Sequence, residues 1–256
     1  MDLPEIVGLL AAAAAAGSIN AVAGGGSLVS FPSLVAAGYG AKTANVTNTV
    51  ALWPGYLGGS LAYRGELRRQ RRRVLLLSAP SVLGAVVGSA VLLSTPGRAF
   101  EALVPFLVLF ASGLMAFQER LAAFAQTHHL SSQSDDHVPW PLPAGMFVLA
   151  VYGAYFGAGL GILTMAALAI LLPDDIQHSN ALKGILSLII NAVAVLYFAL
   201  FGPVAWGPAA LMAGGALAGG YLGVGVARRL GPMWLRRSII VLGLWVTAAL
   251  FVRYYL

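Results

Sequence analysis

The chain has 256 residues, 59% of them apolar and only 9% charged, with a mean hydropathy of +0.84. Soluble domains carry about 25% charged residues, so this composition excludes a protein that meets water over its whole surface. Cysteine is absent and the net charge is +6. The first fact excludes disulfides, thiolate metal sites and a cysteine nucleophile. The second reflects arginines flanking apolar runs, and nucleic acid is not an expected partner.

Taken in chain order, the apolar runs give ten segments, at about 4–22, 27–38, 43–62, 74–94, 99–117, 141–157, 160–172, 179–201, 207–226 and 237–253. Runs of this length without dyad alternation predict a polytopic helical membrane protein and exclude a transmembrane β-barrel. The start "MDLPEIVGLL" carries acids and no Lys or Arg, so the first segment is expected to be a retained helix and not a signal peptide. Segments 2 and 7 are 12–13 residues long, well under the ~20 needed to span a bilayer. The longest polar stretch, Gln118 to Trp140, divides the chain into a first repeat (1–117), a linker (118–140) and a second repeat (141–256).

The two halves share a register. Gly24, Gly26 and Asn45 recur as Gly159, Gly161 and Asn180, and Gly84 and Gly88 as Gly219 and Gly223, all 135 residues apart. The charge bias swaps between them. The loop after segment 3, "RGELRRQRRR", holds six arginines, and its counterpart "FGPVAW" none; "STPGR" holds one, and its counterpart "ARRLGPMWLRR" four. By the positive-inside rule this predicts two repeats in opposite orientation, with the linker cytoplasmic and both termini outside. The expected fold is therefore all-α, with two inverted repeats of about five helical segments each and 8–10 membrane segments. Segments 1–2 and 6–7 are either full spans or re-entrant hairpins.

The run "AVAGGGSLVSFP" interrupts the first half where a membrane helix should stand. At bilayer depth an irregular backbone survives only where protein or a water-filled cavity satisfies it. Ser27 reads as the N-cap of a short helix, with unpaired amides beyond it that favour an anion. "GAGLG", Gly157 to Gly161, stands at the equivalent place. Paired interrupted segments point to a transporter's binding site. Asn45 and Asn48 share a helical face with Leu52 and Tyr56, while Asn180, Lys183, Ser187 and Asn191 form one polar stripe. Lys183, one of two lysines, holds the register position of Asn48 and lies about a turn inside an apolar run. An intramembrane cation is a functional residue by default.

Plainer readings stand beside these. Glycines let membrane helices pack closely, which is the expected role of Gly84/Gly88 and Gly219/Gly223. Gly24, Gly25, Gly26 and Ser27 are open to either reading, and the repeat with its flanking asparagines favours a substrate site. Lys183 either lines that site or snorkels to the interface. His128, His129 and His137 are expected to be linker residues, and Asp174 and Asp175 solvated ones. "GGGS" is no phosphate-binding loop, since no Gly-Lys-Ser/Thr follows. The nine acids all fall at or near segment ends, so no carboxylate is placed to relay protons or hold sodium. With no histidine, cysteine or acid pair inside the segments, an enzyme is not expected, nor is a cofactor or metal.

"GSINAVAGGGSLVSFPSLVAAGYGAKTANVTNTVAL" resembles the first-repeat signature of the TauE/SafE family of sulfite-exporter-like permeases. "GAYFGAGLGILTMAALAILLPDDIQHSNALKGILSLIINAVAVLYFALFGPVAW" resembles its second-repeat signature, departing at Leu160, where glycine is common. The resemblance implies outward movement of a small sulfur-containing anion (sulfite, sulfoacetate or a related organosulfonate) across a bacterial inner membrane. An anion channel, or an uptake permease for another small anion, is the alternative. The expected site is Gly24, Gly25, Gly26, Ser27, Asn45, Asn48, Gly159, Gly161, Asn180 and Lys183. The expected partners are that anion and the lipid bilayer, with monomer and homodimer both open.

Overall fold

A computed structural model describes residues 1–22, 24–62, 64–127, 138–172, 176–230 and 232–255, of which 21–22, 58–62, 64, 121–127, 176, 222–230 and 232–236 are described by their backbone alone. His128, His129, His137, Asp174 and Asp175 lie outside these residues. The described residues form helices α1 (Leu3–Val22), α2 (Ser27–Ala36), α3 (Ala41–Ala62), α4 (Arg64–Arg69), α5 (Arg71–Ser94), α6 (Gly97–Thr127), α7 (Pro141–Tyr155), α8 (Leu160–Leu171), α9 (Ile176–Phe201), α10 (Trp206–Leu230) and α11 (Pro232–Tyr255). No strand occurs among them.

Five stretches among the described residues are long and apolar enough to cross a membrane: Leu3–Asn20, Arg71–Ser94, Gly97–Arg120, Gln177–Phe201 and Arg237–Tyr255. The short α2 and α8, with 10 and 12 residues, reach only about 15–18 Å at 1.5 Å per residue. Two differences from the sequence reading stand out. The arginine stretch is helical, as α4, and α6 continues ten residues past the expected end at 117, to Thr127. In "QERLAAFAQT" the apolar residues recur at helical spacing, so nothing stops the helix there.

α5 and α10 begin at Arg71 and Trp206, 135 residues apart and so in the shared register. Packing follows the same pairing: α1 lies on α10 as α7 lies on α5, and α3 lies on α10 as α9 lies on α5. α3 and α9 cross each other, and so do α6 and α11. The α3–α9 crossing is antiparallel. Thr47 Oγ1 accepts from Ala205 N at the start of α3 (3.0 Å), Trp53 Nε1 donates to Leu188 O at its middle (3.4 Å), and Gln70 Nε2, beyond its end, donates to His178 O (3.0 Å).

Glycines set how closely these helices approach. A Cβ at Gly84 or Gly88 would overlap the carbonyl of Phe147 or Val151 on α7, and one at Gly219 the carbonyl of Ala14 on α1. The packing role expected for these three holds, while Gly223 lies outside the described side chains. Ser18 Oγ adds a bond, donating to Ala14 O and Gly219 O at 2.9 Å each. Leu77, Ala85, Leu92, Val104, Val108, Met146, Ala150, Leu186 and Ile190 are buried among the helices. Leu83, Val87, Phe106, Phe110, Val148, Leu200 and Trp245 are exposed, as lipid in place of water requires.

Candidate functional site

α1 closes on the first glycines. Gly24 N donates to Ile19 O at 3.0 Å, five residues back, in the manner of a Schellman end. Gly24 and Gly25 stand at φ 74° and 97°, a region that L-residues other than glycine rarely enter. α2 then starts at Ser27. Its N-cap is Gly26, with no side-chain cap bond, which corrects the N-cap expected at Ser27. Gly26 N instead donates to Asn20 Oδ1 at 2.8 Å. The amides of Leu28, Val29 and Ser30 are bonded to the Gly25 and Gly26 carbonyls. The open first turn expected there is therefore reduced to the Ser27 amide, which has no partner among the described residues.

The second break is built similarly. Gly157 N donates to Tyr152 O at 3.2 Å, Gly157 and Gly159 stand at φ 78° and 79°, and Gly159 is the left-handed N-cap of α8. Leu160 and Ile162–Leu163 bond back to Gly157 and Gly159 carbonyls. The Gly161 amide has no partner among the described residues. Tyr152 Oη ties the loop down by donating to Ala158 O at 2.5 Å. Leu160, the departure from the family pattern, is buried and lies against Gly153 of α7.

The two breaks face each other. A Cβ at Gly24 would stand 3.7 Å from the Cα of Gly161, and one at Gly161 would stand 3.9 Å from the Cα of Gly24 and 3.9 Å from Lys183 Cδ. Phe31 of α2 and Phe156 of the second break add an edge-to-face ring pair at 5.7 Å. Lys183 thus runs beside the point where the breaks meet, and its Nζ donates to Asn180 Oδ1 at 3.1 Å. No carboxylate pairs with it among the described residues. The other lysine has a different role: Lys42 Nζ donates to the Leu93 and Thr95 carbonyls at 2.6 and 2.8 Å, a cation at the C-terminal end of α5.

The structure therefore brings Gly24, Gly161, Asn180 and Lys183 together. The remaining expected residues are placed differently. A Cβ at Gly25 would meet Met115 Cε, and one at Gly159 would meet Leu114, both on α6; one at Gly26 would overlap the Ala16 carbonyl of α1. These three are packing positions. Asn45 Nδ2 donates to Tyr155 O at 2.9 Å, so it clamps α3 to the last residue of α7. Its Oδ1 and that of Asn48 are buried without a partner. On α9, Asn191 Nδ2 donates to Ser187 O at 2.8 Å, within the expected stripe. Asn20 was not foreseen. Its register mate is Tyr155, so the repeat offers no signal for it; its only mark is a polar side chain six residues before Gly26 in an Ala-rich helix.

No group of three or more His, Asp or Glu among the described residues could hold a metal. What the crossing offers is hydrogen-bond donation: Lys183, the Asn180 amide and the Gly161 amide at the start of α8, with a helix dipole behind it. This chemistry suits an anion.

Helices long enough to cross a bilayer, packed around two facing breaks, define a polytopic membrane transport protein. The family model "Sulfite exporter TauE/SafE" matches residues 9–250. The chain belongs to that family and is a multi-pass membrane transporter. It is 25% identical over 230 residues to a "Probable membrane transporter protein" of Haemophilus influenzae, covering 90% of this chain and 88% of the relative. It is 24% identical over 257 residues to "Probable membrane transporter protein YfcA" of Escherichia coli K12, covering 98% and 91%. A third relative, "Probable membrane transporter protein ORF9" of a Sinorhizobium species, is 25% identical over 240 residues, covering 92% and 88%. No solved structure matches.

Proposed function

We propose that the chain exports a small sulfur-containing anion, such as sulfite, sulfoacetate or a related organosulfonate, across a bacterial inner membrane. It does so by alternating access, the two halves lying inverted in the bilayer and rocking about the crossing of the two breaks. The carrying observation is that Gly24 and Gly161 face each other with the Lys183 side chain alongside. Lys183 is half-buried; a cation without a carboxylate is costly in a membrane, and an oxyanion arriving at the crossing would offset that cost. Three oxygens on a sulfite or sulfonate could be met by Lys183 Nζ and the Ser27 and Gly161 amides. The antiparallel α3–α9 crossing and the swapped arginine bias support the inversion.

An inside-negative potential contributes about 2.3 kcal/mol per charge per 100 mV, which favours anion exit. No carboxylate deep in a segment suggests a coupling ion. Equilibrium binding of sulfite, sulfoacetate and taurine to the purified protein, repeated on Lys183→Ala and Asn45→Ala, tests the site. Loss of affinity in Lys183→Ala supports it, and unchanged affinity in both variants rejects it.

A further inference from the structure

The arginine-rich segment after α3 does more in the structure than mark a cytoplasmic loop. Its helix α4 packs on α9. Gln70, 5% exposed, donates from Nε2 to His178 O at 3.0 Å, and Arg73 beside it is also 5% exposed. The α4–α9 packing and the Gln70 bond moor the segment to the first turn of α9. His178 is five residues before Lys183, an axial rise of about 7.5 Å. Arg68, Arg69, Arg71 and Arg72 are exposed at that end. Charges there act on the entrance over about 8 Å at physiological ionic strength. Glu66 belongs to the same segment, and Asp174 and Asp175 precede α9 in sequence; with all three counted the group stays net positive. A lipid-facing role alone would not need the segment fastened to the helix that carries Lys183.

Building on the anion-export reading, we propose that Arg68, Arg69, Arg71 and Arg72 form an anion-collecting mouth at the cytoplasmic end of α9. They draw substrate from the cytoplasm toward Asn180 and Lys183. The arginines raise the local anion concentration by electrostatic focusing and hand the substrate to the crossing one to two helical turns deeper.

The test uses the full chain in proteoliposomes with sulfite as the probe, added on the arginine side. A single Ser132→Cys, in a chain with no other cysteine, reports orientation through an impermeant maleimide applied before sulfite. At about 0.01 M ionic strength, where charges act over ~30 Å, Arg68→Gln/Arg69→Gln/Arg71→Gln is expected to raise KM at least roughly threefold with kcat unchanged. At about 1 M, where that length is ~3 Å, wild type and variant should coincide. The triple Arg→Lys variant should restore the wild-type KM, and sulfite added on the opposite side should show no difference. A Gln variant with wild-type KM at low salt, or a rise that persists at high salt, overturns the proposal. If the wild type carries none of sulfite, sulfoacetate and taurine, the export reading falls with it. Loss of flux in Lys183→Ala with the arginines intact would uphold that reading independently of the mouth.

Discussion

Gly24 and Gly161, 137 residues apart in sequence, face each other where the two breaks cross, a Cβ on the first standing 3.7 Å from the Cα of the second. The approach is close, yet the two glycines serve different needs. Gly24 has φ 74°, whereas Gly161 has no positive φ and has only ordinary contact space around an added methyl. Gly24→Ala should therefore cost about 1–2 kcal/mol in the left-handed region and lower the unfolding temperature in detergent. Gly161→Ala should leave that temperature within a degree or two of wild type. Equal destabilisation in a thermal melt of the two variants would contradict the distinction.

The α1–α10 contact rests on backbone proximity. A methyl at Gly219 would overlap the Ala14 carbonyl and disturb the Ser18 bonds, so the helices must separate. Overpacking of this kind costs about 1–3 kcal/mol. Gly219→Ala is expected to reduce the yield of monodisperse protein and its thermal stability. Gly214→Ala, five residues away with nothing within 4 Å, serves as the control and should be neutral. Comparable losses in both would show that glycine content, and not this contact, matters.

Asn45 presents a mixed case, since one amide end clamps the Tyr155 carbonyl and the other is buried without a partner. Asn45→Ala removes a hydrogen bond worth about 1–2 kcal/mol in a membrane interior and leaves Tyr155 O unpaired. The expected result is faster amide exchange at 155–160, where the second break begins, together with slower transport. Asn45→Leu keeps the volume with no donor and should behave like the alanine variant. Unchanged exchange at those residues would remove the clamp.

Much of this architecture was legible in the residues. The matches of Gly24, Gly26 and Asn45 to Gly159, Gly161 and Asn180 set a register in which Arg71 and Trp206 open α5 and α10. The swapped arginines agree with α3 and α9 crossing antiparallel. Other features were not legible. Helix α4 hides in a charge-rich segment with no apolar stripe to announce it. The positions of Gly25, Gly26 and Gly159 against α6 and α1 depend on Met115, Leu114 and the Ala16 carbonyl, partners far away in sequence for the two on α6. The amides past Ser27 looked open because helix termini usually are, but tight i→i−3 bonds to Gly25 and Gly26 close most of that turn.

Lys183 carries the central claim, and electrogenic flux measures it most directly. Proteoliposomes loaded with sulfite, held at a potassium–valinomycin diffusion potential, should release it faster as the interior becomes more negative. Lys183→Ala should abolish this saturable component while retaining the wild-type helical content and elution profile. A well-folded Lys183→Ala protein that releases sulfite at the wild-type rate and with the wild-type voltage dependence would contradict an anion site at the crossing of the two breaks.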